Sequence, residues 1–267
     1  MAPGVWLLLL MIFLPQAADC RPRKIVLIAG KKSHGPGVHE YVKSVKLLKV
    51  MLDRSNLKGV RTEIHFNGWP EDAKTLEDAD TIVMISDGQD GELYSPVPFM
   101  TEERMQVMAR QMKRGCGLVT FHFSTFSPDK YSAQMLDWVG GYFDWQDDSG
   151  ARKWYSAIKT LDTEVEPATP NHPILRGFTP LAYKEEFYYN IRFLEPDPRL
   201  NPILRVPALP GTAAQQTVAW AVERADKGRG FATTTGHAYS NWQNDSYRRV
   251  ILNAIAWTAG LRFRVRV

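Results

Sequence analysis

The chain has 267 residues, 44% of them apolar and 23% charged, with a formal charge of +4. That length can bury a sizeable core and suits one large α/β domain better than two. Lysines and arginines are scattered, with no basic run beyond Arg21-Pro22-Arg23-Lys24, so nucleic-acid binding is not indicated.

Residues 1–18 read as an export signal, an apolar run over 5–14 and then Pro15-Gln16-Ala17-Ala18 as a small-residue exit. The run is too short to span a bilayer and stay there. A periplasmic or secreted location is therefore expected, without stable membrane insertion. Cys20 and Cys116 are not placed as a disulfide framework, and Asp19 before Cys20 argues against lipidation.

One domain is expected over 24–262. Strand 24–29 is nearly continuous in apolar residues, as a strand covered on both faces is. A helix over 38–54 carries Val42, Val45, Leu48 and Leu52 at three- and four-residue spacing. Strands 61–66 and 81–86, a helix over 101–114 and a strand over 117–123 continue the alternation. It predicts a doubly wound, mostly parallel sheet with helices on both faces. From about 144 to 210 prolines are frequent, and short strands at 154–160, 185–193 and 203–206 predict an antiparallel insertion overhanging the site. Strands 218–223 and 230–235 and a helix over 246–259 close the chain.

Three apolar β-type runs stop at or just before a histidine: His34, His122 and His237. In an open parallel sheet, ligands bind along the carboxyl ends of the strands. Imidazole titrates near neutrality and ligates metals, so these three are candidate catalytic groups. His34 lies in a glycine-containing loop that also carries His39 and Glu40 and matches neither a Walker loop nor a dinucleotide fingerprint. Asp87 ends the 81–86 strand and is placed to bind a sugar hydroxyl or to orient a histidine. The turn after strand 117–123 holds His122 and no cysteine, and Cys116 at the strand's start points to the opposite edge, which disfavours a cysteine nucleophile. Ser124 is a weaker serine candidate, without the glycines that relieve an elbow.

Glu185-Glu186-Phe187-Tyr188-Tyr189 places two acids on opposite faces of a strand. One of them should face inward among aromatic residues and act as acid or base, and the register leaves open which one. Asn241 and Trp242 follow His237 and offer an amide and a flat apolar face to a sugar. Trp69, Trp145 and Trp154 are further aromatic candidates, while Trp220 and Trp257 read as core. Candidate substrate-binding residues are thus His39, Asp87, Trp154, Glu185, Tyr188, Asn241 and Trp242, beside the candidate catalytic groups His34, His122, Glu186 and His237.

The chain resembles the ThuA-like (trehalose utilisation) family, a branch of the class I glutamine amidotransferase-like superfamily, in its long exported planctomycete-type form. The resemblance rests on Gly30-Lys31-Lys32-Ser33-His34-Gly35, His122, His172-Pro173-Ile174-Leu175-Arg176-Gly177, Glu185-Glu186-Phe187-Tyr188-Tyr189, Ala219-Trp220-Ala221-Val222-Glu223-Arg224, and Gly228-Arg229-Gly230-Phe231 through Gly236-His237 to Asn241-Trp242. It implies a flavodoxin-like sheet without the amidotransferase cysteine, and a role in carbohydrate catabolism on disaccharides, glycosides or 3-keto sugars.

Three functions stay open at this point. One is an exported enzyme using histidine and glutamate acid–base chemistry. Another is a hydrolase in which His34, His122, His237 and an acid hold a divalent metal such as zinc. The last is a sugar-binding protein without turnover. The expected partner is a small-molecule carbohydrate, with homo-oligomerisation left open.

Overall fold

The computed structural model describes residues 21–88, 99–145, 147, 149, 151, 153 and 155–261. The leader expected over 1–18, Cys20 and Trp154 lie outside the described residues. The elements run β1 (Arg23–Ala29), α1 (Tyr41–Arg54), β2 (Val60–His65), β3 (Thr81–Ile85), α2 (Glu102–Lys113), β4 (Gly117–Phe121), β5 (Phe126–Ser127), α3 (Ser132–Trp138) and β6 (Gly141–Asp144). Then follow β7 (Ala157–Pro167), β8 (Leu181–Tyr189), β9 (Arg192–Phe193), β10 (Leu200–Ala208), β11 (Gln215–Glu223), β12 (Arg229–Thr233) and α4 (Asp245–Thr258). Among the described residues no helix is long and apolar enough to cross a membrane.

The described residues form a nine-stranded sheet in the order β2-β1-β3-β4-β12-β11-β10-β7-β8, with β5, β6 and β9 in a small second sheet. Strands β2, β1, β3, β4 and β12 are parallel, and β11, β10, β7 and β8 continue the sheet antiparallel. This is a flavodoxin-like α/β architecture. Alternation along β1 feeds two cores: Ile25, Leu27 and Ala29 pack with α1 and α4, and Val26 and Ile28 with α2 and α3.

In α1, Val45, Leu48 and Leu52 are fully buried or nearly so, while no side chain caps its N-terminus. Burial of such side chains is worth about 1.5–3 kcal/mol each, which outweighs a missing cap worth about 1 kcal/mol. The helix starts at Tyr41 rather than at the expected 38, because the preceding residues do something else. Val38 bridges Ala238, the His39 N–H donates to the His237 carbonyl (3.0 Å), and the Tyr239 N–H donates to the Gly37 carbonyl (2.9 Å).

The insertion also differs from expectation. It is a continuation of the main sheet rather than a separate overhang. Strand β7 meets β10 only at Leu204–Pro167 and Arg205–Glu166, but pairs with β8 from Ala157 to Val165. Strand β8 lies against residues 236–241 through Glu185 and Lys184, so the ribbon curls onto the carboxyl edge. Helix α3 and strands β5, β6 and β9 are too short to leave a periodic signal. Cys116 is buried just before β4, and burial pushes its thiol up to about 12, away from nucleophile chemistry.

At the opposite end of the parallel strands, the Asp80 carboxylate accepts from Arg21, Arg23 and the Lys24 N–H. Burial opposes ionisation here, but the two arginines and the backbone donor outweigh it and hold the carboxyl below its ordinary range. A depressed folded pKa gives stability that is present above the unfolded value and lost as pH falls through the folded one. Asp80→Asn should therefore cost about 1–2 kcal/mol at pH 7 and flatten the loss of stability below about pH 4. Urea titrations at both pH values test this; an equal cost at the two would refute it.

Candidate metal centre

Four strand-end segments and one strand deliver the site. His34 follows β1, and His39 sits in the bridge before α1. Asp87 follows β3, His122 follows β4, and His237 follows β12. Strand β8 adds Glu186 and Tyr188 from the curled ribbon. Four donor atoms converge: His39 Nε2 lies 2.9 Å from His237 Nδ1, and His237 Nδ1 lies 3.3 Å from His122 Nε2. Glu186 Oε1 lies 3.4 Å from His237 Nδ1 and 3.5 Å from His122 Nε2. All four atoms fall within 4.8 Å of one another. A tetrahedral ion with bonds of about 2.0–2.1 Å separates its ligand atoms by about 3.3 Å, and the four distances given above lie between 2.9 and 3.5 Å.

Hydrogen bonding on the far side of two rings assigns their tautomers. His122 Nδ1–H donates to the Thr234 carbonyl (2.7 Å), which leaves the Nε2 lone pair facing the cluster. The Tyr41 hydroxyl donates to Asp87 Oδ1 (2.5 Å) and accepts from His39 Nδ1–H (2.6 Å), so His39 Nε2 also faces inward unprotonated. Holding a ligand imidazole by its other nitrogen is how metal sites fix ring orientation. Here the Tyr188 O–H meets His122 Nε2 (2.7 Å), and His237 Nδ1–H meets His39 Nε2.

Charge state agrees with that arrangement. Burial lowers His39 to about 4 and lowers His122 well below its ordinary value. Burial also lowers His237, partly offset by the Glu186 carboxylate. Three neutral imidazoles near pH 7 are the form that binds metal. Burial and the nearby Glu186 push the Tyr188 phenol far above its usual range, which keeps it a donor.

His39 and His122 both take left-handed backbone, with φ of 47° and 44°. Such strain is uncommon for a residue with a Cβ and persists where the surroundings over-determine it. His122 thus occupies a tight strand-to-turn position, its ring aimed along the carboxyl edge.

A second chain of bonds runs beside the first. His34 stacks on His39 at 3.7 Å between ring centroids. Its Nδ1–H donates to Ser33 Oγ (2.7 Å), whose hydroxyl donates to Asp87 Oδ1 (2.7 Å). One buried carboxylate oxygen therefore orients two histidines, one through Tyr41 and one through Ser33.

The structure brings together His34, His39, His122, His237, Asp87, Glu186 and Tyr188. Of the set expected from His34, His122, His237 and an acid, His122 and His237 converge with His39 and Glu186, while His34 groups with His39 and Asp87. His39 is thereby moved from substrate-binding to the donor cluster. Three substrate-binding expectations do not hold. Trp242 is buried, with its Nε1–H on Ser44 and its ring against Tyr247. Asn241 donates to the Lys184 carbonyl and to Glu185. Glu185 is 1% exposed and bonded to backbone rather than open to ligand. Trp145 is fully buried, and the Arg104 guanidinium lies 5.3 Å over the Trp69 ring. Ser124 is buried too, donating to the Ser86 carbonyl and accepting from its N–H (2.9 Å each).

Sequence reasoning missed Ser33 and Tyr41 as relay members. Ser33 lay inside a quoted motif, but Tyr41 carried no signal, since its partner Asp87 is 46 residues away. The His172–Gly177 motif is structural: His172 caps a short 3₁₀ turn, and the Asn253 side chain of α4 holds the Ile174 and Arg176 carbonyls.

The model of the ThuA family, described as trehalose utilisation, matches residues 25–258. Among solved structures, the chain is similar to a putative ThuA-like protein from Parabacteroides merdae ATCC 43184 at 17% identity and TM-score 0.65, covering 92% of this chain and 93% of that one. It is also similar to a putative ThuA-like protein from Bacteroides uniformis ATCC 8492 at 14% identity and TM-score 0.63, covering 92% and 95%. At these identities the likeness shows the fold alone. The chain matches no curated protein by sequence.

Proposed function

The chain belongs to the ThuA family, trehalose utilisation, with a carbohydrate-related role, and from that premise we propose that it is a divalent-metal-dependent enzyme acting on a carbohydrate. The observation that carries the reading is the convergence of His39 Nε2, His122 Nε2, His237 Nδ1 and Glu186 Oε1. Three neutral imidazoles and one carboxylate suit an ion of the zinc class better than a hard ion such as magnesium or calcium. When bound, such an ion supplies Lewis-acid polarisation of a sugar oxygen or lowers the pKa of water.

The chain's own groups supply the rest. His34 stands beside the donors, stacked on His39 with Nδ1–H held by Ser33, placed to exchange a proton with a substrate. The bonds through Ser33 to Asp87 fix the orientation of the ring. The Tyr188 hydroxyl, bonded to His122 Nε2, would hold that ring and donate beside the donor cluster. Half-buried Glu186 and His237 form the open side.

The test is metal analysis of the purified full chain, with a turnover screen on disaccharides and their 3-keto forms, with and without chelator. One equivalent of bound metal and turnover that disappears on chelation and returns with zinc are expected. Turnover surviving complete metal removal would replace this reading with metal-free histidine–glutamate chemistry; binding without turnover would make the chain a sugar-binding protein. In the same assay, His34→Ala should lower turnover about 100- to 10,000-fold with metal content unchanged. A His34→Ala protein that turns over normally would remove His34 from the mechanism.

A further inference from the structure

Glu185 and Glu186 are neighbours with divided work. Glu186 reaches the donor cluster, while Glu185 points to the other side of β8 and is almost fully buried. Its Oε2 accepts from the Gly236 N–H (3.0 Å) and the Asn241 side-chain amide (3.0 Å). Its Oε1 accepts from the Ala238 N–H (3.3 Å) and from the Glu186 N–H (2.8 Å). Gly236 and Ala238 flank His237 on either side. The loop is otherwise tied at this point by the short bridge to residues 37–39. Gly236 has φ of 124°, a state that glycine reaches without strain and most other residues do not, and the bonds to Glu185 restrict its freedom there.

We infer that Glu185 is a positioning residue that clamps the His237 loop, so that β8 sets two donors at once: Glu186 directly and His237 through the backbone on both sides of it. This rests on the metal reading above. The clamp ties the curled ribbon to the β12 edge, and explains why an acid is buried where an apolar residue would suit the core. A carboxylate fits because all four partners are donors. A glutamine would turn its own N–H2 toward two of them.

Cobalt(II) is the probe, because its visible spectrum reports the donor set. Wild type, Glu185→Gln, His237→Ala and the double variant are titrated with cobalt, and amide exchange is followed at Gly236 and Ala238. Glu185→Gln should weaken cobalt binding about 10- to 100-fold and shift the spectrum toward that of His237→Ala. It should add little further in the His237→Ala background. In wild type the two amides should exchange slowly, and in Glu185→Gln faster, with or without metal. A wild-type spectrum in Glu185→Gln, an equal cost in both backgrounds, or fast exchange of both amides in wild type would overturn the clamp. Wild type that takes up no cobalt while exchange behaves as stated would remove the metal reading and leave the clamp standing. Should Glu185→Gln fail to fold, the wild-type exchange measurement still decides.

Discussion

His122→Ala is expected to lower metal affinity by more than about 100-fold and to abolish turnover, while the chain still folds. The substitution removes a donor that sits against two others, with Nε2 at 3.3 Å from His237 Nδ1 and 3.5 Å from Glu186 Oε1. Loss of a direct ligand exceeds the roughly 10- to 100-fold that indirect changes cost. Stability falls by less. The Thr234 carbonyl loses its partner, at about 1–3 kcal/mol, against a total stability of about 5–15 kcal/mol. Because alanine inherits the left-handed backbone of His122, His122→Gly is the proper companion, removing the ring without leaving strain behind. Circular dichroism checks the fold, and elemental analysis checks the metal. Both variants holding one equivalent of tightly bound metal would place the ion elsewhere and dismantle the centre.

Much of the sheet was legible because its signal is local. Strands β1, β3, β4 and β12 are built on apolar runs, and α1, α2 and α4 repeat at helical spacing. The three strand-end histidines could be placed on one edge by topology alone. His39 was harder. Its role depends on a bridge between residues 37–39 and 237–239, a pairing across some 200 positions that no periodicity announces. The split between Glu185 and Glu186 needed the strand's register, and only the curl of β8 decides which side meets the histidines. Asn241 and Trp242 misled for a related reason. A polar amide and an aromatic face after an active-site histidine look like sugar ligands, yet here they brace the loop beneath it. The donor cluster is therefore a product of tertiary closure, and the segments that supply it are individually unremarkable.

That closure also brings backbone segments together without room for side chains, and Gly88→Ala should expose this. In sequence Gly88 simply follows Asp87. The structure gives it another reason. A Cβ there would fall on the Phe123 carbonyl oxygen and within 2.6 Å of Phe126 Cβ. Both neighbours belong to the stretch that directly follows His122, and Phe126 is itself fixed by stacking on Phe143 at 3.9 Å. Neither can yield as a flexible surface side chain would. Forcing a methyl into such a site costs about 1–3 kcal/mol and occasionally more, and a clash with backbone belongs at the upper end. The strain has two outlets, displacement of Asp87 or of the His122 turn. Either one spoils the donor set, because Asp87 orients His39 and His34 while the turn carries His122. The expected result is a soluble variant with reduced thermal stability and metal affinity lowered together. Gly211→Ala serves as the control, since a Cβ there meets nothing within 4 Å. With a positive φ of 79°, its cost is local strain of about 1 kcal/mol. Thermal melts and metal titration of the two variants decide the matter: equal losses of stability with unchanged metal binding in Gly88→Ala would show that the close approach of these two loops does not set the site.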